Sequence, residues 1–167
     1  MIVGLLSDTH ADVARTEVAM RILLDAGAEV IVHCGDIGSE EVLVEMVAAI
    51  HGRNVPVYAV LGNVDEGSPP LQHFPVSTGV NVARTHRIDL AGRSAVVVHG
   101  HEYGLLGAAM MDTTLDYVFT GHTHQRADSL PSRPRVINPG AVYRSSQPGV
   151  AVLDTVTERL RWLDLRP

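Results

Sequence analysis

MIVGLLSDTH, residues 1–10, is an apolar run that stops on a carboxylate and an imidazole two positions apart. The aliphatic stretch Met1–Ser7 suits a strand, whereas Asp8 and His10 do not belong in a strand interior. The same ending recurs along the chain. VIVHCGD (30–36) stops on Asp36, VYAVLGN (57–63) on Asn63, AVVVH (95–99) on His99, and YVFTGHTH (117–124) on His122 and His124. Seven oxygen or nitrogen donors, and no thiolate, therefore stand just past apolar runs. Strands gathered in one core would bring their ends to one rim, and that rim would carry all seven.

The elements around these runs set the fold class. Asp12 caps an expected helix that runs through Asp25, with Val13, Thr16, Ala19, Met20, Leu23 and Leu24 near helical spacing. Glu29–Cys34 is the next strand. Ser39 caps a second helix with Glu40 and Glu41 in its first turn, and Val55–Val60 is a third strand. Strand and helix in alternation imply a parallel sheet with right-handed crossovers. After Gly67 the character changes. Val80–Leu90 alternates, turns at Ala91-Gly92 and leads into Ser94–His99, which reads as a hairpin. Leu105–Thr113 is an expected short helix. Tyr117–Thr120, Arg135–Asn138, Ala151–Asp154 and Leu160–Leu165 are further strands. The expected product is an α/β protein, two sheets packed face to face with helices outside, in one domain spanning 1–167.

Composition narrows the function. With 167 residues and 46% hydrophobic content, one sizeable core is expected. No apolar run approaches the roughly 20 residues of a membrane span, and no signal peptide is read at the start. The single cysteine, Cys34, lies in an apolar strand and suits a reducing cytoplasm. A net charge of −6 disfavours long nucleic acid as a partner. Two divalent cations would add about four positive charges and make one pocket attractive to a small phosphate ester.

The donor types fit such cations. Carboxylates are hard and can bridge two ions, and imidazoles suit manganese, iron, nickel or zinc. An amide oxygen adds a neutral ligand. Asp8-x-His10 and His122-x-His124 place alternate side chains on one side of an extended backbone, so each pair can converge on one pocket. Glycines at 35, 62, 100 and 121 flank these donors and permit tight turns and close approach.

The ordered series DTH, GD, GN, HGH and GHTH resembles the calcineurin-like metallophosphoesterases, in the small YfcE-like branch. The resemblance runs from Ile2 to about Tyr143 and includes Asn138-Pro139-Gly140. It implies an αββα sandwich of two mixed sheets. It implies one ion held by Asp8, His10, Asp36 and His124, and a second by Asp36, Asn63, His99 and His122, with Asp36 bridging. Manganese is the expected metal, with iron, nickel or zinc as the others compatible with these donors. Water between the ions would lose its proton readily and attack phosphorus in line, so no phosphorylated protein intermediate is expected.

One departure bears on the substrate. Many members of the superfamily read Gly-Asn-His, where the histidine protonates the leaving group; this chain reads Gly62-Asn63-Val64-Asp65. Loss of a general acid costs about 10²–10⁴ in rate, least for leaving groups stable as anions. The branch resemblance favours a small phosphodiester over a monoester or phosphoprotein. A non-catalytic scaffold like the retromer subunit of this fold is the remaining alternative, and the complete donor set argues against it. His101 is the candidate to replace the missing acid. Asn63 and Arg144 are candidates to hold substrate oxygens, with Arg126, Arg133 and Arg135 expected at the surface. His33 is read as a structural group or one that orients a ligand. His51, His73 and His86 are read as surface residues, and Asp65 as a brace for the Asn63 loop or for a ligand imidazole. The apolar stretch 104–111 is read as core, and would serve a homo-oligomer if partly exposed.

Overall fold

The computed structural model describes residues 1–165, so the last two positions of the expected domain lie outside the described residues. The first half alternates: β1 (Ile2–Leu6), α1 (Val13–Asp25), β2 (Val30–His33), α2 (Glu40–Ile50) and β3 (Val57–Val60). A short helix α3 (Pro69–Gln72) leads to β4 (Val80–Ala83). Then follow β5 (His86–Asp89), β6 (Ser94–Val97), α4 (Tyr103–Met111), β7 (Tyr117–Phe119), β8 (Arg126–Asp128), β9 (Arg135–Pro139), β10 (Gly149–Asp154) and β11 (Arg159–Asp164).

Two mixed sheets result. The first has the order β11-β10-β1-β2-β3-β4, and the second β5-β6-β7-β9-β8. Strands β1 to β4 are mutually parallel, as are β6, β7 and β9. Alternation along the strands divides the core. Val3, Leu5, Val30, Val32 and Cys34 pack between the sheets against Val97, Tyr117, Phe119 and Ile137. Leu6 and Ile31 face the other way, onto Ala19, Met20, Leu23, Leu43 and Met46 of α1 and α2. On the outer face of the second sheet, Ala109 of α4 packs with Val98, Leu115 and Val118. Each wholly buried aliphatic or aromatic side chain contributes about 1.5–3 kcal/mol. The layers are thus helix, sheet, sheet, helix, as read from the sequence.

The helix ends obey local chemistry in part. Asp12 Oδ1 accepts the Arg15 N–H at 2.9 Å, as expected of a cap. Ser39 stands at the cap position of α2 but its side chain makes no capping bond. Four other readings are corrected. The alternating stretch Val80–Leu90 is two strands in different sheets, β4 beside β3 and β5 beside β6. The alternation lapses at Arg84 and Thr85, where the chain crosses between sheets. His86 is not a surface residue: it is half-buried, with Nε2 3.1 Å from the Ala59 carbonyl and 3.0 Å from that of Asn81. Strand β8 carries no apolar pattern and was not expected. The stretch 104–111 is not core: on α4 only Ala109 is buried, and Tyr103 and Met111 are 80% and 81% exposed, so that helix turns apolar side chains to solvent. No helix among the described residues is long and apolar enough to cross a membrane.

Candidate metal centre

The carboxyl ends of β1, β2, β3, β6, β7 and β9 all open on the same rim, and the seven donors stand on the loops that leave them. These loops bond to one another through the backbone. Asp8 N donates to the Gly35 carbonyl at 2.9 Å, and His10 N to that of Asp36 at 3.0 Å. Gly121 N donates to the His99 carbonyl at 2.9 Å, and Tyr143 N to that of Asp8 at 3.2 Å. Five of the seven donors adopt left-handed backbone: Asp8 (φ 56°), His10 (47°), Asp36 (56°), His122 (68°) and His124 (58°). Aspartate and histidine tolerate this region better than most residues, but each still carries strain of order 1–3 kcal/mol. Such clustering of strain marks a functional site.

One set of donors is already gathered. Single ligand atoms of Asp8, His10, Asp36 and His124 all lie within 4.8 Å of one another. His124 Nε2 is 3.2 Å from Asp8 Oδ1 and 3.2 Å from His10 Nε2. His10 Nε2 is 3.8 Å from Asp36 Oδ2. The other Asp36 oxygen, Oδ1, faces His99 Nε2 at 3.2 Å. The His122 ring stands next to that of His99, with centroids 5.1 Å apart. Asn63 begins a single 3₁₀ turn, Asn63–Asp65, and its side chain is exposed. The next residue, Val64, donates its N–H to Asp36 Oδ1 at 3.1 Å.

Two tautomers are fixed by the surroundings. His99 Nδ1 donates to the Cys34 carbonyl at 2.7 Å, and His124 Nδ1 to the Arg144 carbonyl at 3.2 Å. Each ring therefore turns Nε2 toward the centre, the arrangement of a metal-binding histidine. Asp8 Oδ1 and His99 Nε2 are buried with no properly directed hydrogen bond. Such orphaned acceptors are costly without a cation, so the residues fit divalent metal.

The electrostatics of the donors are mixed. Burial raises the Asp8 carboxyl above its ordinary range, against the opposing contact with Ser7. Burial pushes Asp36 the same way, but His99 and the Val64 N–H outweigh it and hold Asp36 down to about 2. Burial opposes charge on His99 too, but Asp36 and the Cys34 carbonyl raise it overall. His10 and His122 are both lowered, chiefly by burial, and are ready to act as neutral ligands.

The residues behind the donors have clear tasks. Asp65 is wholly buried and accepts N–H bonds from Ile37 (3.0 Å), Gly38 (2.8 Å) and Gly62 (2.8 Å). It locks the β2 and β3 loops together, as its reading as a brace anticipates. Asn138 Nδ2 donates to the Gly121 carbonyl at 2.7 Å and so holds the GHTH loop. His33 accepts Gly35 N–H on Nδ1 at 3.1 Å, which leaves Nε2 to donate to Thr9 Oγ1 at 3.0 Å. His33 thus steadies the loop between Asp8 and His10. Gly62 and Gly121 act by giving space, not by a positive φ: a Cβ there would fall 2.1 Å from Asp36 Oδ1 and 2.0 Å from Ser7 Oγ.

The remaining candidates divide. The His101 ring lies 5.4 Å from His99 and 6.3 Å from His122, centroid to centroid, with Nε2 3.2 Å from Glu66. The Arg144 guanidinium is exposed and stacks on Tyr143, 5.4 Å from its centroid. Arg126 pairs with Asp164, Arg133 with Glu158, and Arg135 with Asp128 and Glu158. Arg135 is buried in this network and not at the surface as expected.

Comparison with known proteins adds four findings. The profile of the calcineurin-like phosphoesterase superfamily domain matches residues 1–158. The phosphodiesterase MJ0936 of Methanocaldococcus jannaschii is 28% identical, over 96% of this chain and 97% of its own. Among solved structures, a novel archaeal phosphodiesterase superposes with a TM-score of 0.84 at 27% identity, covering 99% of this chain and 100% of the other. The phosphoesterase Yfce of E. coli shares the fold, with a TM-score of 0.67 at 21% identity over 99% and 100% of the two chains.

Proposed function

The chain belongs to the calcineurin-like phosphoesterase superfamily, and on that premise we propose that it hydrolyses small phosphodiesters at a centre for two divalent cations. The observation that carries this reading is the placement of Asp36. One of its oxygens faces His10 at 3.8 Å and the other faces His99 at 3.2 Å, so a single carboxylate spans two donor sets. Asp8, His10 and His124 complete one set; His99, His122 and Asn63 complete the other. Manganese is the proposed metal because the donors mix oxygen with imidazole and include no thiolate. When bound, the ions supply Lewis acidity and a hydroxide nucleophile near neutral pH.

The chain's own residues do the rest. The backbone network holds the donors before any cation arrives, so little reorganisation is needed. Asn63, next to Val64, and Arg144, whose carbonyl holds the His124 ring, are proposed to hold substrate oxygens. Val64 has no proton to give a departing alkoxide, so His101, beside His99 and His122, is proposed as the donor. A diester is preferred to a monoester because Val64 stands where the leaving-group acid would be, as in the YfcE-like branch that the chain resembles. The buried thiol of Cys34 and the absence of any need for an oxidant suit the cytoplasm as its location.

The test is an assay of metal-stripped, manganese-reconstituted protein on a bis-aryl phosphate and the matching monoester. Faster turnover of the diester, lost in Asp36→Ala and Asn63→Ala, supports the reading. Faster turnover of the monoester overturns it.

A further inference from the structure

Among the buried polar atoms that lack a hydrogen-bond partner are Asp8 Oδ1, His99 Nε2 and His101 Nδ1. The first two belong to the donor sets. The third does not. His101 stands on the loop that leaves β6, two residues past His99, and its ring lies 5.4 Å from that of His99 and 6.3 Å from that of His122. A buried nitrogen with no partner is costly, so this one points to a bond made with a group that arrives at the centre.

The ring's other nitrogen is taken. Nε2 lies 3.2 Å from Glu66 Oε1 and 3.9 Å from Glu102 Oε1. Glu102 is committed to Arg84, whose Nε donates to Glu102 Oε1 at 2.8 Å. Glu66 is therefore the carboxylate that serves the ring. An ionised carboxylate only accepts, so Nε2 carries the N–H and Nδ1 is left for the centre. The Glu66 side chain is exposed, but its root is fixed. The wholly buried Asp65 accepts Gly62 N–H at 2.8 Å, gives its own N–H to the Gly62 carbonyl at 3.1 Å, and accepts Ser68 N–H on its carbonyl at 3.2 Å. Val64, which has no proton to give, thus shares a braced turn with a residue that can orient a proton donor on the neighbouring loop.

We propose that Glu66 is the positioning residue of the leaving-group acid: it holds His101 by the Nε2–H and so presents Nδ1 to the departing oxygen. This rests on the diesterase reading above and on His101 as its acid. In the step, the P–O bond to the leaving arm breaks and its electron pair goes to the departing oxygen, which takes the Nδ1 proton. The ring is left neutral, still held by Glu66, and regains a proton from water. Glu66 itself touches no reacting atom.

The experiment uses the full, manganese-reconstituted chain and two diesters with the same retained arm, methyl p-nitrophenyl phosphate and methyl phenyl phosphate. Only the leaving arm differs, and phenoxide is the poorer leaving group, so it needs the proton more. Glu66→Ala is expected to lower kcat for the phenyl ester by about tenfold, and to leave KM for both esters and kcat for the nitrophenyl ester within about twofold. Glu66→Gln, whose amide oxygen still accepts the Nε2–H, is expected to recover most of the loss. In a His101→Gln background, Glu66→Ala should slow neither ester further. Equal slowing of both esters, slowing of neither, or a full further loss in the His101→Gln background overturns the proposal while sparing the diesterase reading. Turnover of neither ester by metal-loaded wild type overturns both.

Discussion

His99 points Nε2 at Asp36 Oδ1 across 3.2 Å, while its Nδ1–H is spent on the Cys34 carbonyl at 2.7 Å. The ring has one free nitrogen, and the fold has aimed it. Cys34 and Asp36 both follow β2, whereas His99 follows β6 in the other sheet, so this contact ties the two sheets together at the rim. The relationship explains why the donors must come from distant parts of the chain: each sheet supplies part of the cage.

Asp65 should be as important to the site as a ligand. Its buried carboxylate collects three backbone N–H groups from the β2 and β3 loops. Asp65→Ala removes three charge-assisted bonds and is expected to cost about 3 kcal/mol or more. Urea unfolding of the metal-free protein measures the loss. Manganese affinity by calorimetry should fall with it, because Asp36 stands on the loosened loop. Unchanged stability would mean that these bonds are replaced by water.

His33 predicts an acid-side slope. Complete burial pushes its pKa from an ordinary 6.5 down to about 3. Between those values the unfolded chain holds a proton that the folded chain refuses. Stability of the metal-free protein therefore falls as pH falls through this window, by up to about 1.4 kcal/mol per pH unit from this one group. His33→Gln should flatten that slope while lowering stability at pH 7, where the bonds to Thr9 and Gly35 are lost. Unfolding curves at pH 5 and pH 7 compare the two.

The missing proton donor can be probed from both sides. Val64 is 45% exposed beside Asp36, so a larger side chain has room there. Val64→His is expected to speed hydrolysis of alkyl diesters by about tenfold or more and to leave p-nitrophenyl esters little changed. His101→Gln should show the converse, slowing alkyl diesters most. A plot of log kcat against leaving-group pKa shows both effects as changes of slope. Parallel lines for all three proteins would rule out proton donation from either position.

Much of this was legible in the sequence, for a physical reason. Strand ends advertise themselves when a polar donor interrupts a run of Val, Ile and Leu, so Asp8, His10, Asp36, His99, His122 and His124 stood out. Parallel connectivity then fixed which rim they share. What escaped depends on tertiary contacts. The spacing of Asp8-x-His10 and His122-x-His124 reads as extended backbone, but all four residues are left-handed, so their convergence comes from the loops and not from strand alternation. Gly62 and Gly121 look like turn formers, but their function is to admit Asp36 and Ser7. The crossing at Arg84 splits a stretch whose alternation looks nearly continuous. Strand β8, with Arg126 and Asp128 at its ends, has no apolar period because it closes a sheet edge.

The central claim is that Asp36 joins two cation sites. Metal content of the stripped and manganese-reconstituted chain, counted per protein by mass spectrometry, tests it most directly. The wild type is predicted to hold two ions per chain, and Asp36→Ala at most one. One ion in the wild type, or two retained by Asp36→Ala, would contradict it.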